Sequence, residues 1–101
     1  MEKRKPHFAL ERIKRLVRQG RCRVTRTALS TAAQDFGFIH PAQLSDIILS
    51  LAPADFYKAM TTYNDASVWQ DVYRPMAAGI RAYVKVQIVD ATTVIISFKR
   101  L

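Results

Sequence analysis

Up to Pro53 the apolar residues of this chain recur at helical spacing, and after it they alternate. Leu10, Ile13, Leu16 and Val17 form one stripe, with Arg12, Arg15 and Arg18 opposite. Pro6 precedes this run and Gly20 follows it, which predicts a helix over about residues 7–19, with Arg21–Val24 short and extended after it. Thr25 is placed to cap a second helix through its hydroxyl, with Leu29, Ala32, Ala33 and Phe36 buried and Gly37 as the stop. Pro41 opens a third helix, whose apolar face is Leu44, Ile47, Ile48 and Leu51. Ala52-Pro53 closes it, since a residue before proline resists the helical conformation.

Four strands are expected beyond that point. Phe56–Tyr63 is rich in rings and threonine, and Asn64–Ser67 is a turn. Val68–Arg74 alternates, with Val68, Gln70 and Val72 on one side and Trp69, Asp71 and Tyr73 on the other. Ile80–Val89 sets Ile80, Ala82, Val84, Val86 and Ile88 against Arg81, Tyr83, Lys85 and Gln87. Thr93–Lys99 returns after a tight turn at Asp90-Ala91-Thr92. Helices followed by strands with short turns predict an α+β fold, with N-terminal helices packed on one face of a mostly antiparallel sheet of about four strands.

Composition bounds this picture. A chain of 101 residues is expected to form a single domain, residues 1–101. No apolar run approaches the ~20 residues of a membrane span. No secretory signal is evident, and one cysteine, Cys22, cannot pair within the chain, so a cytoplasmic location is expected. The net charge of +8 is unevenly placed. Residues 1–26 hold ten Lys or Arg against two Glu, whereas the remainder has six basic and six acidic residues. A basic arm attracts phosphate at long range, although a solvated helix face has the same composition.

The segment Asp55–Pro75 carries the most chemistry. It contains four Tyr or Trp rings with lysine, asparagine, glutamine and arginine, and no Cys, His or Gly. Metal sites want the first two and phosphate loops the third. Rings, amides and cations suit RNA: stacking for bases, charge for phosphate, amides for base edges. RNA strand cleavage by a neighbouring 2′-hydroxyl needs a base, an acid and charge stabilisation, but no metal. His7 and His40 are the only histidines, both distant in sequence from the strands.

Lysine or tyrosine can take their place when the pKa is lowered. Lys58, among Phe56, Tyr57 and Met60, is one candidate if burial lowers its pKa; an edge lysine that blocks sheet association has the same pattern. Gln70 shares a side with two valines, which fits either a structural bond to a neighbouring strand or a hold on phosphate or 2′-hydroxyl. Tyr83 lies between Arg81 and Lys85, whose charges are expected to lower the phenol pKa; a surface tyrosine is the alternative. Lys58 and Gln70 share sides with apolar residues, so either can point into the core unless a β-bulge re-aims it. Arg74, Lys85 and Lys99 are candidate RNA contacts. Trp69 and Tyr73 fit base stacking or core. Cys22, between Arg21 and Arg23, is expected to have a depressed pKa without a catalytic partner.

The motif DFYK, then MTTY, then WQDVYRP resembles the signature of the MqsR (motility quorum-sensing regulator) toxins, messenger-RNA endoribonucleases of type II toxin–antitoxin pairs. The resemblance extends to Glu2-Lys3-Arg4, Pro6 and His7, to Thr25-Arg26 with Ala28-Leu29, to Tyr83-Val84-Lys85-Val86, and to Ser97-Phe98-Lys99. The loop Met76–Ile80 departs from the family pattern. The resemblance implies a RelE-like toxin fold and catalytic roles for Lys58, Gln70 and Tyr83. It also implies ribosome-independent, cofactor-free cleavage of mRNA at short GC-containing sites, causing growth arrest. A cognate antitoxin is implied as partner, carrying the zinc site and helix-turn-helix, with DNA met only through it. A non-catalytic RNA- or DNA-binding module is the alternative, using the basic helix for phosphate and the rings for bases.

Overall fold

The computed structural model describes residues 1–101 and contains the three expected helices. Helix α1 (Leu10–Arg18) starts later than its periodicity predicts. The backbone N–H groups of His7 and Phe8 donate to the two Asp71 carboxylate oxygens, each at 2.9 Å, and hold the lead-in outside the helix. A short strand, β2 (Cys22–Val24), follows. At the start of α2 (Arg26–Phe36) the Thr25 hydroxyl accepts from Ala28 N at 3.1 Å and donates to Ile96 O at 3.0 Å. One side chain thus satisfies an orphan helix donor and ties the cap to the sheet. Gly37 ends α2 at φ 72°, a left-handed conformation that costs glycine little. In α3 (Pro41–Ser50), Gln43 Oε1 accepts from Ile39 N and His40 N at 2.8 and 3.0 Å, so His40 stands at a helix start, away from the strands.

The sheet has seven strands where about four were expected. The long four are β3 (Phe56–Thr61), β4 (Trp69–Tyr73), β6 (Ile80–Val89) and β7 (Thr92–Arg100). The additions are β2, β1 (Glu2–Lys3) and β5 (Met76–Ala77). Each spans only two or three residues, too few to display a period. The order is β1-β3-β4-β6-β7-β2, with β5 paired to the start of β6. All pairs are antiparallel except β2 with β7, so the sheet is mixed. Strand β3 stops at Thr61 because Thr62 enters the turn, its hydroxyl donating to Asp65 O at 2.8 Å.

The helices cover one sheet face. Ile13, Leu44 and Ile48 are fully buried against Tyr73, Val84, Val86, Ile95 and Phe98. Each such side chain stabilises the fold by roughly 1.5–3 kcal/mol. The buried Thr93 hydroxyl donates to Ile13 O at 2.9 Å and links β7 to α1. No helix is long and apolar enough to cross a membrane.

The β6–β7 hairpin turns through Asp90 and Ala91 at φ 50° and 53°. Two positive φ values define the turn type that matches strand twist, but the second position favours glycine. Ala91 carries a Cβ there, so Ala91→Gly is expected to stabilise the protein by about 1 kcal/mol, raising Tm by roughly 4–8 °C. Thermal unfolding checks this; an unchanged or lower Tm contradicts strain at Ala91.

Candidate active site

The register of β3 against β4 slips between Phe56 and Lys58. A bulge of this kind lets neighbouring residues face the same way. Phe56 stays inside, edge-on to Tyr73 at 5.5 Å, while Tyr57 and Lys58 both turn to the face without helices. Beyond the slip, Lys58 sits opposite Val72, and Val72 opposite Lys85. On that face Gln70 lies opposite Met60, and Tyr83 opposite Lys99. The sheet therefore brings Lys58, Gln70, Tyr83, Lys85 and Lys99 to one face.

Tyr83 is central among them. Its hydroxyl lies 4.0 Å from Met60 Sδ, and the Lys99 and Lys85 ammonium groups are 5.1 and 5.9 Å from its ring centre. Gln70, 7% exposed, donates through Nε2 to Gln87 Oε1 at 2.7 Å. This is the cross-strand bond that its sequence pattern allowed. Arg74 stands off to one end, its guanidinium 4.4 Å from the Tyr57 ring. The two line a cleft of about 310 Å³ with Arg81.

The electrostatics reverse two expectations from sequence. Lys58 is not a lysine with lowered pKa. Its ammonium group bonds Glu2 at 2.7 Å, and that bond holds its pKa above 10.5, outweighing burial. Glu2 is lowered by the same bond. The Tyr83 phenol is also raised, because burial outweighs the attraction of Lys58. Arg81 gives it no help, since its guanidinium donates to Arg74 O at 2.9 Å. The lysine pushed down is Lys85: burial acts first, then repulsion from Lys99 and Lys58. Cys22 likewise departs from expectation, its thiol raised by burial despite two flanking arginines.

Of the two rings considered for stacking, Tyr73 is core and fully buried. Its hydroxyl has no partner, and burial followed by the nearby Asp71 charge pushes its pKa up. Trp69 stacks on His7 with centroids 5.4 Å apart and planes 12° from parallel. Lys3 lies 4.2 Å from the Trp69 ring centre and 2.9 Å from His7 Nδ1.

Sequence reasoning missed Glu2, Tyr57 and Gln87 as site neighbours and left His7 without a role. Gln87 had a signal, since it shares the polar side of β6 with Tyr83 and Lys85. Tyr57 had none without the bulge, and Glu2 had only its place in the family pattern. No three His, Cys, Asp or Glu side chains gather as a metal-ligating group.

The family model described as motility quorum-sensing regulator, toxin of MqsA, matches residues 5–100. The mRNA interferase toxin MqsR of Escherichia coli (strain K12) is 42% identical over 99 residues, covering 98% of each chain. The matched residues take in all three helices and every strand except β1, and the chain belongs to the MqsR toxin family.

Proposed function

We propose that this chain is the toxin of a type II toxin–antitoxin system, an mRNA interferase that cuts messenger RNA in the cytoplasm and arrests growth. The observation that carries the reading is the open sheet face on which Lys58, Tyr83, Lys85 and Lys99 meet. Three lysines there suit a phosphate and proton exchange, and the half-buried phenol among them suits proton transfer. Family membership supports a cognate antitoxin as partner, with a zinc site and a helix-turn-helix of its own, so that DNA is met only through it. It also supports cleavage at short GC-containing sites without the ribosome.

The directions of the pKa shifts support a division of roles. Lys85, the lysine most readily neutral, accepts the proton of the attacking 2′-hydroxyl. Lys58, kept cationic by Glu2, stabilises charge on the phosphorane. Tyr83, kept protonated, donates to the leaving 5′-oxygen. Gln70 orients the 2′-hydroxyl or a phosphate oxygen. Arg74 and Lys99 hold neighbouring phosphates. Oxygen attack at phosphorus with rupture of the P–O5′ bond yields a 2′,3′-cyclic phosphate and a 5′-hydroxyl.

Purified protein incubated with naked mRNA in EDTA is expected to cut at discrete sites and leave those ends, read by end-group analysis. Intact RNA held in a salt-sensitive complex would instead favour the non-catalytic binding module. Cuts bearing 3′-hydroxyl ends would rule out 2′-hydroxyl attack.

A further inference from the structure

The ladder between β4 and β6 stops early. Its pairs are Asp71↔Val86, Val72↔Lys85 and Tyr73↔Val84, yet β4 continues back to Trp69 and β6 on to Val89. Over this stretch each strand is paired only on its outer side: Trp69 with Thr61, and Gln87, Ile88 and Val89 with Val94, Thr93 and Thr92. The inner edges part, and a cleft of about 390 Å³ opens between them. Trp69 and His7 stand at one wall, Gln87 and Ile88 at the other, and Phe8 joins them.

We propose that this cleft is a nucleobase subsite, taking one unstacked base of the RNA beside the cleaved bond. The inference rests on the ribonuclease reading of the neighbouring face and extends it. Three features favour a base over other occupants. The wall is a ready-made ring stack, since His7 and Trp69 are nearly parallel; unpaired bases stack on such surfaces. The opening is polar in the way that base edges require. Gln87, which lines the cleft, accepts from Gln70 through Oε1 and keeps its Nε2 donors for another partner, and parted strand edges offer main-chain donors and acceptors. Finally, Gln87 links the cleft to the proposed catalytic face. Gln87 lines the cleft while bonded to Gln70, and Gln87 stands two residues, roughly 7 Å, along β6 from Lys85. Lys3, held between His7 and Trp69, supplies charge for the adjoining phosphate.

Trp69 is the chain's single tryptophan, so its emission reports on this cleft alone. Wild-type protein is mixed rapidly with end-labelled RNA while emission and cleavage are followed together. The expected result is a fall in emission before any strand is cut. In Gln87→Leu and His7→Leu the RNA concentration for half-maximal quenching rises roughly tenfold, and the preference for one base near the cut relaxes. Cleavage without a change in emission overturns the subsite and leaves the ribonuclease reading intact. Quenching without cleavage supports the subsite and overturns that reading, whereas neither signal overturns both. Emission that responds to a protein partner and not to RNA overturns the nucleobase assignment. The wild-type trace decides the matter even if a variant fails to fold.

Discussion

Replacing Lys85 with methionine slows single-turnover RNA cleavage by roughly 10²–10⁴-fold, and replacing it with arginine slows it almost as much. The arginine variant is the informative one. It preserves a cation for phosphate but cannot lose a proton, so it separates proton transfer from binding. Lys58→Arg is expected to retain most activity, because the role argued for Lys58 needs only positive charge. The pH profile adds a sign. Lys85 is held below the ordinary lysine value of 10.5, first by burial and then by Lys99 and Lys58. Its neutral fraction grows as pH rises, so the wild-type rate climbs with pH and levels off once Lys85 has titrated. Lys85→Arg removes that climb. Wild-type rates in Lys85→Arg would reduce Lys85 to a phosphate contact.

Asp71→Ala is expected to cost about 2–4 kcal/mol of stability, lowering Tm by roughly 10–20 °C. Asp71 is fully buried, and both of its oxygens accept backbone N–H groups at 2.9 Å. Truncation strands those two donors and frees the segment that positions Glu2 and His7. Asp71→Asn tests the charge separately. Burial raises the Asp71 pKa above the ordinary 3.8, and the bonds from His7 and Phe8 offset this only in part. The folded state thus holds the Asp71 proton more tightly than the unfolded chain. The Asp71 contribution to stability falls as pH rises from about 3.8 through the raised value, then stays constant. Subtracting the Asn variant's stability-versus-pH curve from the wild type isolates this slope. A difference that rises with pH over that window contradicts the assignment.

The sequence displayed what its periods could carry. Ile80–Val89 alternates because one side lies under helices and the other does not, and the strand formed with those bounds. Strands of two or three residues have no period: Arg21–Val24 read as extended but was not counted among the strands, and β1 and β5 went unseen. The site was legible as a set of residue types but not as a geometry. Whether Lys58 shares a face with Gln70 and Tyr83 depends on the slip after Phe56, a property of pairing that no single strand displays. The charge states were misjudged for a related reason. Flanking residues suggested a neutral Lys58 and an acidified Tyr83. Glu2, 56 positions from Lys58, and burial of the phenol reverse both.

The placement of β7 between β6 and β2 also sets an order of events. Thr93 bonds a carbonyl 80 positions earlier, and β2 has no sheet partner until β7 exists. At ~5–20 residues per second of synthesis, the basic first segment waits several seconds for that strand. During this interval a nascent chain carries the ten cations of residues 1–26 but has no Lys99 beside Tyr83 and no closed core. On the proposed function, charge that attracts RNA is made first and the face that cuts it is assembled last.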